Sequence, residues 1–140
     1  DREKCDKDAL QTVEAMYDAL GMKKIYMDAK RHDVHAAYVS HISHITSFAL
    51  ALSVLEKEKE VDTIFQLAGA GFESTVRLAK SSPDTWVPIF AQNRDNLLEV
   101  LTEQIDQLSL MKNLLEKEDY QKFYTLIEKA NEIKKVLNRG

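Results

Sequence analysis

Apolar residues recur at spacings of three and four along nearly the whole chain, which is the signature of amphipathic helices. Leu10, Val13, Met16, Tyr17 and Leu20 predict a helix over 8–20, with Asp8 placed as its cap and Gly21 just past its end. Lys23 to Met27 reads as a brief β-forming stretch, too short for a helix, and predicts a lone strand. A lone strand needs a sheet to satisfy its backbone groups, so the pattern implies a chain that begins inside a larger protein.

From Asp28 to about Glu56 the spacing is helical again, with a break or bend expected near Ser40 to Ser43. Ala36, Ala37, Val39, Ile42, Ile45, Phe48, Leu52 and Leu55 surround that helix and predict burial on more than one side. The charged run Glu56–Glu60 reads as a solvated connection, followed by a short helix over 61–68 that ends at Gly69-Ala70-Gly71. A further short helix is expected over 72–80. Ser82 then caps the next one, with Pro83 at its first position and Trp86 and Ile89 on one face. Leu97, Leu101, Ile105, Leu108, Met111 and Leu115 predict a long helix over 93–117, and Tyr120, Phe123, Ile127, Ala130, Ile133 and Leu137 a last one over 119–137. These long stripes, with the doubly apolar helix over 34–55, exceed what a small monomer covers and predict a homodimer.

Composition sharpens this picture. The 140 residues include only 4 Gly and 2 Pro, too few for the turns of an all-β fold, so the expectation is an all-α helical bundle. The net charge of -4 is spread along the chain without a basic cluster, which argues against nucleic acid as a partner. The weakly charged run Val34–Leu55 holds three histidines and several serines and reads as too polar to span a membrane. The first residues, Asp-Arg-Glu-Lys, do not look like a signal peptide. With Cys5 as the single cysteine, no intramolecular disulfide forms, and the expected compartment is the cytoplasm.

The residue types that carry chemistry concentrate in two places. All four histidines, His32, His35, His41 and His44, lie within one helical stretch, paired at i, i+3. Three readings stand side by side. A metal site would use the shared face, but the Glu-x-x-His pattern of helical carboxylate sites is absent and no cysteine lies near. Structural histidines with local hydrogen bonds are the plainer reading. A pocket for an anionic ligand is the third, and it gains from Arg77, whose planar fork of donors matches a carboxylate. Arg77 alternatively pairs with Glu73 at i-4 on the surface. Ser81 follows one turn later, and Trp86, the sole tryptophan, is either a core aromatic or the wall of that pocket.

Read together, His32-Asp33, then Ala37-Tyr38-Val39-Ser40-His41-Ile42-Ser43-His44, then Gly71 through Pro83 with Trp86 and Asn93, resemble the signature run of prephenate dehydrogenases. The resemblance extends from the first helix to about Asn93. It implies a helical dimerisation domain of the 6-phosphogluconate-dehydrogenase C-terminal-like type over 29–140, preceded over 1–28 by a remnant helix and strand of a Rossmann domain. It further implies an NAD-dependent oxidative decarboxylation of prephenate to 4-hydroxyphenylpyruvate in tyrosine biosynthesis, with arogenate as the alternative substrate. NAD and the catalytic histidine would belong to the preceding domain, so this piece alone would be inactive. Its own contribution would be substrate binding: Arg77 to a carboxylate, His44 and Trp86 lining the pocket, Ser81 and His32 orienting it, and His41 structural. Ser43 stands where the family usually has Pro, which would alter only a bend. Ser74 stands where it usually has Asp, which removes a carboxylate that would pair with the Arg. A helical dimerisation or regulatory module without chemistry is the rival from another class.

Overall fold

The computed structural model describes residues 3–61 and 63–137, and among them every regular element is helical. The chain divides into two compact units, Asp1–Leu97 and Leu98–Gly140.

The first unit opens with α1 (Lys7–Ala19). Asp6, rather than Asp8, caps it: its carboxylate accepts from the backbone N–H of Asp8 at 2.9 Å and of Ala9 at 3.0 Å. At the other end Gly21 takes a left-handed φ of 66°, and the N–H groups of Gly21 and Met22 return to the carbonyls of Asp18 and Tyr17. This double closure is the reason a glycine stands there. The expected strand over 23–27 is not formed. Residues 22–28 run without regular structure, because no neighbouring strand is available to make a ladder, and side chains tie the segment back to α1. Lys24 Nζ lies 2.6 Å from the Asp18 carboxylate and donates to the Glu14 carbonyl at 3.3 Å, while the Tyr26 hydroxyl donates to the Glu14 carboxylate at 2.9 Å.

Asp28 caps α2 (Ala29–Ala36) by accepting from the Arg31 N–H at 2.9 Å. The helix then passes through a π-helical segment, Ala37–His41, into α3 (Ile42–Val61). Within that segment the Ile42 N–H bonds to the Ala37 carbonyl, five residues back, so one extra residue is accommodated in the turn. The break expected near 40–43 is thus a π-bulge, formed without the family's proline at Ser43. The whole run Ala29–Val61 is, by length and composition, apolar enough to cross a membrane, contrary to the reading of its polarity from sequence.

The Glu56–Glu60 run is not a connection but the last turns of α3. Lys and Glu are good helix formers, and Lys57 pairs with Glu60 while Lys59 pairs with Glu56 at 2.7 Å. The helix expected over 61–68 shrinks to a 3-10 turn, Ile64–Leu67, whose free N–H groups are met from a distance: Glu58 accepts from Ile64 at 2.7 Å and Phe65 at 3.2 Å. The expected helix over 72–80 divides into α4 (Ala70–Val76) and a 3-10 turn, Arg77–Lys80, both packed against α3. Fully buried Ser47 donates to the Thr75 carbonyl at 3.1 Å and fastens α3 to α4. Pro83 opens α5 (Pro83–Gln92) as expected, with Ser82 at the cap position.

Burial corrects the reading of a helix covered on several sides. Ala37, His41, Ile42, His44 and Ser47 are buried, but Val39 is 77% and Leu52 66% exposed, because within one chain only one side of this helix meets other elements.

The second unit contains most of α6 (Arg94–Glu116), then α7 (Tyr120–Ala130), a 3-10 turn at Asn131–Ile133, and α8 (Lys134–Leu137). The last expected helix is therefore interrupted at 131–133. The Asp119 carboxylate caps α7 by accepting from the Lys122 N–H at 3.1 Å. Val100 and Leu114 are buried, whereas Ile105, Leu108 and Leu115 on the predicted stripe are each more than half exposed.

Candidate functional site

Two buried histidines one turn apart meet an aromatic cluster in the first unit. His44, from the first turn of α3, stacks on Trp86 of α5 with ring centroids 3.4 Å apart and an interplanar angle of 26°. His41, from the π-segment, presents an edge-on arrangement to the same indole at 6.1 Å and 79°, and to Phe90 at 6.2 Å. Phe90 lies 5.5 Å from Trp86, and Phe48 lies 6.3 Å from His44. The separations of 5.5 to 6.3 Å fall in the range at which aromatic rings attract beyond their shared burial, while the His44–Trp86 stack is a closer, face-on contact.

The hydrogen bonds fix how each imidazole is protonated. His44 Nδ1 lies 3.1 Å from the Ser40 carbonyl, which only accepts, so Nδ1 carries the hydrogen and Nε2 of the neutral ring is left as an acceptor. His41 Nδ1 lies 3.2 Å from the Asn93 amide nitrogen. That nitrogen also donates to the Asp33 carbonyl at 2.7 Å, and the Asn93 amide oxygen accepts from Asn96 at 2.7 Å. The Asp33 carbonyl therefore settles which end of the amide faces His41: a nitrogen, so His41 Nδ1 accepts and its hydrogen sits on Nε2.

Burial of the ring holds His41 below its ordinary value of 6.5; nearby Asp33 pulls the other way, and His44 and His32 add to the lowering. As pH falls, the unfolded chain takes up this proton before the folded one does. The stability contributed by the neutral ring is intact above pH ~6.5, is lost progressively as pH falls from there through the lowered folded value, and stays lost below it. Denaturant midpoints measured between pH 7.5 and 5 should fall more steeply for the wild-type chain than for His41→Gln. Parallel slopes would remove His41 as the source.

The other residues singled out from sequence make no hydrogen bond or ring contact with this cluster, although His32 acts electrostatically on His41. Arg77 is exposed at the start of the 3-10 turn and makes no hydrogen bond or ion pair with any described residue, nor any ring contact with His44 or Trp86. The surface pair expected between Arg77 and Glu73 is not made; Glu73 faces Lys80 instead, at 3.9 Å. Ser81 is half-buried, with its N–H on the Leu78 carbonyl at 3.1 Å. His32 is exposed and lies 3.1 Å from the Asp33 carboxylate. The structure thus joins His44 to Trp86, and adds His41 and Asn93, which the sequence reading left without a role in the site. The only signal for them was the i, i+3 repeat of His41 and His44 and the position of Asn93 within the resembling run. Among the described residues no three or more of His, Cys, Asp and Glu converge to hold a metal.

The family model of the prephenate dehydrogenase dimerization domain matches residues 28–129, a span that includes every residue of this cluster. The chain belongs to that family. Among curated relatives it is similar to the prephenate dehydrogenase of Lactococcus lactis subsp. cremoris (strain MG1363), at 26% identity over 130 residues, covering 91% of this chain and 36% of the relative. Among solved structures it resembles prephenate dehydrogenase from A. aeolicus in complex with hydroxyphenyl propionate and NAD+, with a TM-score of 0.82, 26% identity, and coverage of 96% of this chain and 47% of that one. It shares its fold with Synechocystis arogenate dehydrogenase, at a TM-score of 0.79 and 21% identity over 94% of this chain and 48% of that one. The chain thus spans between about a third and a half of the length of these dehydrogenase relatives.

Proposed function

We propose that this chain is the substrate-gripping and dimer-forming part of an NAD-dependent prephenate dehydrogenase of tyrosine biosynthesis. The observation that carries the reading is the family match over 28–129, within which an imidazole with a free Nε2 lies flat on an indole. Such a wall offers a flat face and one hydrogen-bond acceptor, which suits a ring that bears a hydroxyl. Arg77, exposed and bonded to no described residue, offers its planar fork of N–H donors to a substrate carboxylate. Ser81 and His32 are assigned to orienting the pocket.

NAD does not fit among the residues of this chain. Its one close glycine pair, Gly69 and Gly71, follows a 3-10 turn rather than a strand, so the phosphate-cradling turn of a dinucleotide fold is missing here. The cofactor and the proton-abstracting group are assigned to a preceding nucleotide-binding domain, with residues 1–28 as its tail. That assignment gains support from the start of the family match at residue 28 and from Leu20, Ile25 and Tyr26, whose apolar side chains are each more than half exposed. Bound in that domain, the dinucleotide would supply the hydride acceptor for an oxidative decarboxylation of prephenate to 4-hydroxyphenylpyruvate and carbon dioxide.

The test uses the parent protein with prephenate and with arogenate, following NADH at 340 nm. NADH formation with prephenate is expected, and none from residues 1–140 alone; preference for arogenate would transfer the assignment to that substrate, and activity with neither would leave a non-catalytic module.

A homodimer is part of the same proposal. The exposed leucine and isoleucine side chains on α3 and, separately, on α6 and α7 are the kind of surface a second copy covers. Sedimentation at micromolar concentration should give a dimer, and a monomer there would count against it.

A further inference from the structure

We infer that Asn93 is a positioning residue for the proposed substrate wall: it locks His41 as the Nε2–H tautomer edge-on to Trp86, the indole on which His44 is stacked. The inference rests on the reading of His44 and Trp86 as that wall, and on three features of Asn93 itself.

Asn93 sits at the junction between α5 and α6, the position where an asparagine ordinarily accepts a backbone N–H from the first turn of the following helix. It is not used that way. Its oxygen accepts from the side chain of Asn96, and its two amide hydrogens reach across to α2 and the π-segment, to the Asp33 carbonyl and His41 Nδ1. The side chain is only 8% exposed, and donor and acceptor are both satisfied. A capping residue has been diverted to an imidazole 52 positions away in sequence.

The diversion has a chemical result. Two imidazoles that share one indole would repel each other if both were charged. An amide N–H directed at Nδ1 is compatible with neutral His41 and incompatible with a protonated Nδ1. The groups around His41 are Asp33 on α2, His32 on α2, His44 on α3, Trp86 and Phe90 on α5, and Asn93. Only Asp33 among them carries a negative charge, and its carboxylate lies beside His32.

Long-range nitrogen–proton NMR spectra of the 140-residue chain test this without substrate. The expected result is His41 as Nε2–H and His44 as Nδ1–H at pH 7, with His41 titrating below its ordinary value of 6.5. In Asn93→Asp, a carboxylate replaces the donor. His41 should then move to the Nδ1–H or imidazolium form, its titration should shift above pH 6.5, and the emission of Trp86, the sole tryptophan, should become pH-dependent in the same range. A wild-type His41 carrying its hydrogen on Nδ1 would overturn the inference. So would a folded Asn93→Asp chain with unchanged His41 titration and Trp86 emission. Should that variant not fold, the wild-type tautomer alone decides. A confirmed network in a parent that turns over neither cyclohexadiene would sink the functional reading and leave the tautomer assignment standing.

Discussion

Replacing Arg77 with Ala in the parent protein is expected to raise KM for the cyclohexadiene substrate by roughly 10- to 100-fold, the equivalent of the ~1.5–3 kcal/mol carried by a charge-assisted hydrogen bond. The thermal stability of the chain should hardly change. Arg77 is exposed and bonded to no described residue, so its truncation strands no buried partner. This separation makes the experiment informative. A loss of affinity with stability intact is what a ligand-facing guanidinium predicts, while unchanged KM would favour the module without chemistry. Arg77→Lys should recover only part of the affinity, because an ammonium does not present two parallel donors to a carboxylate. The missing family Asp at position 74, here Ser74, belongs to the same picture: Glu73 does not substitute for it, being drawn toward Lys80.

Trp86→Ala is expected to have the largest effect on stability. A fully buried aromatic residue cut to Ala costs about 3–5 kcal/mol. Trp86 is half-buried, so a loss of about 2 kcal/mol is the appropriate scale, read as a lowered denaturant midpoint by circular dichroism. The indole is stacked on His44 and lies near His41 and Phe90, so its removal leaves three rings without their common neighbour. Trp86→Phe should restore part of the loss. A midpoint unchanged in Trp86→Ala would mean that the stack contributes nothing to folding.

The helices were largely legible from spacing. The long α6 falls within a residue of its expected bounds at both ends because its apolar residues recur without interruption. The interruption before Ile42 was legible only as a break, since a π-bulge and a kink leave the same trace in a hydrophobic pattern. The misreadings have physical causes. Glu56–Glu60 looked like a loop because it is charged, but Lys and Glu at i, i+3 pair and propagate a helix. Lys23–Met27 has the residue types of a strand and no partner to pair with. Val39, Leu52 and Leu55 have the spacing of core residues and are exposed, because pattern reports what is apolar, not what covers it.

The site was less legible. His44 and Trp86 lie 42 positions apart, and no periodicity brings them together; only the resemblance to a known family did so. Asn93 was hidden by its own position, because an asparagine ahead of a helix already has an ordinary explanation. Its actual bonds depend on where the carbonyl of Asp33 ends up, which only the folded backbone reveals.

The five-residue return of the backbone between Ala37 and Ile42 has a further consequence. Were the same residues to run straight through as an ordinary helix, α3 would swing by about 100° about the helix axis relative to α2. The helical content would survive almost whole. His44 would leave the indole, and Ser47 would leave the Thr75 carbonyl, so a chain with the bulge straightened would keep its shape in a spectrum and lose the stack, whereas excising one residue along with the bulge would restore both.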